Sequence, residues 1–61
     1  MNKMQAKEVA KLEVALKMGM TDYAARGLSE LIRSTMSGRA AAQLHELARE
    51  WHITNHPEFI V

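Results

Sequence analysis

Apolar positions along the chain fall into three helical stretches parted by short polar breaks. From Lys3 to Met18, Val9, Leu12 and Leu16 recur three and four residues apart, and Met20 extends the line. That is the spacing of one helix face. A second apolar group, Val14, Ala15 and Met18, lies on another part of the same cylinder. Ala, Lys, Glu, Leu, Met and Gln dominate this segment and favour helix, and Glu13 and Lys17 form a favourable i, i+4 pair. Gly19 follows the last turn, where a left-handed residue is easily placed.

The second stretch predicts a helix over about 22–36. Ala24, Ala25, Leu28, Leu31, Ile32, Thr35 and Met36 make a near-continuous apolar stripe, with Asp22, Arg26, Ser29, Glu30 and Arg33 on the other side. This is a strongly amphipathic pattern. Thr21 reads as its N-cap and Asp22 suits the positive end of its dipole. Gly27 inside it costs about 1 kcal/mol relative to Ala and marks a place for close backbone approach. "SGR" at 37–39 is the next break, with Ser37 able to cap a third helix over about 39–52. The stripe of that helix is Ala40, Ala41, Leu44, Leu47, Ala48 and Trp51. In "ITNHPEFIV" Pro57 fits the first turn of a short terminal helix, and Phe59 and Ile60 are placed to close the bottom of a core. No segment alternates apolar with polar residues as a strand does. The expected fold is all-α: one domain over 1–61, three helices and a short C-terminal turn or helix.

Length changes the picture next. A chain of 61 residues buries only about 60% of the surface its unfolded form exposes. With no cysteine, neither disulfides nor thiolate metal sites can staple it. Self-association is the expected stabiliser, a homodimer first. The net charge of +1, eight Lys and Arg against seven Asp and Glu, is nearly balanced, whereas nucleic-acid binders more often carry a basic excess. The N-terminal third is the more basic part, with Lys3, Lys7, Lys11 and Lys17 against Glu8 and Glu13. No apolar run approaches the roughly 20 residues that span a membrane, and "MNKMQAKEVAK" lacks the apolar core of a signal peptide. A cytoplasmic protein without membrane attachment is expected.

Candidate chemistry is sparse. The serines stand in no nucleophile setting and read as caps or surface. His52 and His56 share a helix face only if the helix continues, and Pro57 argues that it has ended, because the residue before proline avoids helical geometry. His45, His52 and His56 therefore read as exposed or partly packed side chains, with no metal, no cofactor and no enzyme expected. The five methionines read as core filling before adaptable binding surface. Trp51 belongs to the third stripe. Tyr23, at the start of helix two, is placed to meet a partner or a base.

"VALKMGMTDYAARGL", residues 14–28, resembles the helix-turn-helix of lambda-repressor-like phage and bacterial regulators. Ala15 matches its small residue, Gly19 its turn glycine, Met20 the apolar residue after it, and Leu28 its closing aliphatic. Val14 and Met18 match its inward positions. "LAREWHITNHPEF" is similar, more loosely, to a later segment of the family. The resemblance implies that the start of helix two enters the major groove of double-stranded DNA. Thr21, Asp22, Tyr23 and Arg26 then face the DNA, Arg26 toward guanine, while Lys11 and Lys17 lie near phosphates. Leu12 and Leu16 fall on the face that is exposed in the family, so either a dimer partner or a different fold covers them.

Two functional expectations follow. One is a small dimeric helix-turn-helix transcriptional regulator. The other is a helical protein-interaction module, an inhibitor or adaptor, without DNA contact. In the second, Val9, Leu12 and Leu16 serve self-association.

Overall fold

The computed structural model describes all residues, Met1–Val61. It is all-α, with three helices: α1 Lys3–Lys17, α2 Thr21–Ser34 and α3 Gly38–Glu50. None is long and apolar enough to cross a membrane.

Helix α1 starts on a capping box. The Asn2 side chain accepts from the Gln5 backbone N–H at 2.8 Å, and Gln5 Oε1 accepts from the Asn2 backbone N–H at 3.1 Å. Two backbone donors that lack helical partners are thereby satisfied. The Gln5 amide also donates to Thr35 Oγ1 at 3.0 Å, fastening the start of α1 to the end of α2. At the other end Gly19 adopts φ +84°. Its N–H reaches Leu16 O at 3.0 Å, and that of Met20 reaches Ala15 O at 2.9 Å. These two bonds form a Schellman motif, and Gly19 is the residue that takes its left-handed position without strain.

The N-cap of α2 is Met20, with no side-chain cap bond. Thr21 is the first helical residue, one position later than a cap, because the tight turn after Gly19 leads straight into the helix. The helix ends at Ser34 rather than at 36: Thr35 is extended and Met36 fully exposed. Ser37 caps α3 as expected, accepting from Ala40 N–H at 3.2 Å. A second Schellman motif closes α3. Here Ile53 N–H reaches Ala48 O and His52 N–H reaches Arg49 O, each at 3.1 Å, with His52 at φ +58°. Residues 53–59 form turns, not a fourth helix, held by His56 N–H to Ile53 O and Phe59 N–H to His56 O.

Helix α2 is the hub, packing on both α1 and α3. The buried core joins Leu12 of α1, Ala25, Leu28 and Ile32 of α2, Leu44 and Ala48 of α3, and Ile53 of the tail. Val9, Leu16, Leu31, Leu47, Trp51 and Phe59 pack around it. Only 11 of 61 residues are buried, so each core side chain carries a large share of the stability. A Cβ on Gly27 would run into Cδ2 of Leu12. The close approach expected at this glycine is therefore the seat of Leu12.

That seat corrects two expectations. Leu12 is buried within the chain and is not free for self-association; Val9 and Leu16 are likewise partly covered by the core. Val14 and Met18, the inward positions of the resemblance, face solvent instead, 57% and 72% exposed. Successive helix residues are about 100° apart, so burying Leu12 turns Val14 to the opposite side.

Candidate interaction surface

Two faces remain once the core is satisfied. On α2, Asp22, Arg26, Ser29 and Arg33 recur at intervals of four, three and four, which aligns them along one helix face. All four hold the C-terminal tail. His56 Nε2 lies 3.0 Å from Asp22 Oδ1. Arg26 Nε donates to Glu58 Oε1 at 2.8 Å, and a terminal guanidinium nitrogen sits equally close to the same oxygen. The Ser29 hydroxyl, on a buried residue, points to both Arg26 O at 2.9 Å and Glu58 O at 3.3 Å. Arg33 Nη1 donates to Ile60 O at 2.6 Å. The hydrogen bond to Glu58 and then its charge hold the Arg26 guanidinium above its ordinary value, so Arg26 stays cationic wherever the chain is folded.

His56 is oriented from both sides. Its Nδ1 accepts the Glu58 backbone N–H at 3.0 Å, so a neutral ring carries its proton on Nε2 and donates it to Asp22. His45 meets the edge of Phe59, ring centres 6.3 Å apart and planes at 88°. His52 is exposed in its left-handed turn. The three histidines thus have three separate settings, and no three of the chain's His, Asp and Glu side chains group as a metal site would.

Between α1 and α2 runs an open groove of about 500 Å³, with Leu12, Gly27 and Leu31 in its floor, Tyr23 at its side, and Glu8 and Glu30 among its lining residues. Tyr23 is 55% exposed. Thr21 is partly buried, and Lys17 is exposed in the last turn of α1. Lys11 is exposed too, its Nζ 3.5 Å from Glu8 Oε1.

The second face, the outside of α1, is not covered by the tail. Met4 is 77% exposed and lies in line with Lys7, Lys11, Val14 and Met18. Positions 4, 7, 11, 14 and 18 alternate steps of three and four, the spacing of a helix–helix seam. Lys3 borders the stripe, and neither it nor Lys7 has an ion-pair partner. Sequence reading picked out Val14 and Met18 as a second apolar group but took them as inward positions, and did not join them with Met4, Lys7 and Lys11 into one exposed seam. The tail clamp escaped it as well, since the contacts of Glu58 and Ile60 span 27–32 residues and no local pattern encodes them.

The chain matches no known protein family, no curated protein and no solved structure.

Proposed function

We propose that this protein is a small helical protein-interaction module, with the outer face of α1 as its binding surface. One observation carries the reading. Met4, Val14 and Met18 stay exposed in one line after the fold has buried its own core, and Met20 and Tyr23 add apolar surface at the adjoining turn. Flexible methionine side chains suit a surface that moulds to a partner. Association there also adds apolar burial to a chain whose own core is thin.

The rival reading is a dimeric helix-turn-helix regulator. The left-handed Gly19 turn and the lysines of α1 favour it. Against it, Asp22 and Arg26 hold the tail, and Glu8 and Glu30 line the groove beside Tyr23, where phosphates would be repelled.

The test places a photo-crosslinking amino acid at Met18 and, as control, at Glu50. In cells that make the protein, Met18 is expected to trap a discrete protein band that Val14→Asp abolishes, while position 50 traps none. Retarded migration of duplex DNA at low salt, lost in Arg26→Ala, with no α1 crosslink, overturns the module reading in favour of the regulator.

A further inference from the structure

The charge on the α1 face narrows the partner, granted that this face is a protein-binding one. Met4 and the Val14–Met18 pair are apolar contacts at the two ends of the seam. Lys7 and Lys11 sit between them on the same line, and Lys3 lies beside it. The first turn of α1 holds no acidic residue. The sole carboxylate near these lysines is Glu8, at 3.5 Å from Lys11, and both side chains are well exposed. The middle of the seam is therefore cationic, with Lys7 unpaired and Lys11 matched only by this one exposed contact.

We propose that α1 docks an acidic amphipathic helix of a partner protein. That helix carries apolar side chains toward its ends and Asp or Glu at the two central seam positions. The seam from Met4 to Met18 spans about 21 Å at 1.5 Å per residue, which asks for roughly four turns of partner helix. Carboxylates opposite Lys7 and Lys11 fix its register, and reversing them suppresses binding, as at charged positions of other helical seams.

The same geometry disfavours a second copy on this face. An antiparallel copy that sets Met4 against Met18 also sets Lys11 against Lys11. A parallel copy sets Lys7 and Lys11 each against itself. Like charges at the centre of a seam are destabilising. Nor does nucleic acid suit it: three exposed apolar side chains in line with the lysines gain nothing from phosphates.

A peptide-display selection against the full chain tests this. The probe is a helical peptide of about 18 residues, long enough for the seam, randomised at its five seam positions. Selected sequences are expected to carry Asp or Glu at the central positions and Leu, Ile, Met or Phe at the outer ones. Binding of the best peptide is expected to fall roughly tenfold or more in Lys7→Glu/Lys11→Glu and to weaken with salt. The lysines are exposed, so the variant keeps its helical circular dichroism. Selection without acidic enrichment, no selected binder, or unchanged binding by the charge-reversed variant each overturns the acidic-helix proposal. Tighter binding to phosphatidylglycerol vesicles or to duplex DNA through the same lysines overturns it too. A Met18 crosslink that Val14→Asp abolishes but charge reversal leaves intact rejects only the acidic partner. Absence of any Met18 crosslink in the parent chain rejects the module itself, whereas its loss on charge reversal is the expected result.

Discussion

Two residues show how single positions set this fold. Gly27 receives the Leu12 side chain. A branched side chain there overpacks the α1–α2 contact, at about 1–3 kcal/mol, and recovers at most about 0.5 kcal/mol of helix propensity. Gly27→Val is therefore expected to lower stability by about 1–2 kcal/mol. In a double-mutant cycle with Leu12→Ala, followed by thermal melts, the second change is expected to offset part of the first. Strict additivity would show that the two sites do not share the space. His52 is the opposite case, a side chain held at φ +58° where glycine is the usual occupant. His52→Gly is expected to stabilise by about 0.5–1 kcal/mol, read as a rise in melting temperature. The sequence pointed to close approach at Gly27 but not to Leu12 as its visitor, because that contact exists only once two helices have met.

At the scale of elements, every helix was legible from periodicity and its breaks, and the orientation of α1 was not. This helix carries two apolar groups, Val9–Leu12–Leu16 and Val14–Met18, roughly half a turn apart. Either can face a neighbour by local pattern alone. The choice is made by α2, where Gly27 opens a notch that one leucine fills, while the unbranched methionines are left to solvent. The resemblance to a helix-turn-helix took Val14 and Met18 as inward along with the Gly19 turn, and a Gly19 turn of this geometry serves either orientation of the preceding helix. Stability measurements separate the two groups. Leu12→Ala is expected to cost about 2–5 kcal/mol, enough to unfold much of a 61-residue chain of ordinary stability. Val14→Gln and Met18→Gln are expected to stay within about 0.5 kcal/mol of the parent, and Val14→Gln to weaken the crosslink made from position 18. Larger losses from Val14→Gln and Met18→Gln than from Leu12→Ala in urea titrations would mean that α1 is turned the other way.

Across the whole molecule, which measures 28 × 21 × 17 Å, the tail after α3 acts as a strap over α2. It combines apolar anchors, Ile53 and Phe59, with polar contacts to Asp22, Arg26, Ser29 and Arg33. The relative weight of the two sets follows from exposure. The side chains of Arg26 and Glu58 are 60% and 36% exposed and that of Asp22 is 80% exposed; solvent and salt screen such pairs, which contribute little. Ile53 is 1% exposed and Phe59 is partly buried against the core and His45. Phe59→Ala is accordingly expected to cost about 1–2 kcal/mol from lost apolar burial, nearly independent of salt. Arg26→Ala is expected to cost less, with the difference from the parent shrinking as salt rises. Thermal melts of both variants at low and high salt decide the ranking. If Arg26→Ala proved the more damaging at high salt, the strap would be held by its ion pair, and freeing Arg26 for an outside ligand would require unfolding the tail. With the apolar anchors dominant, the Arg26–Glu58 pair can open while the strap stays seated. That leaves α2 able to exchange its polar partners without loss of the fold.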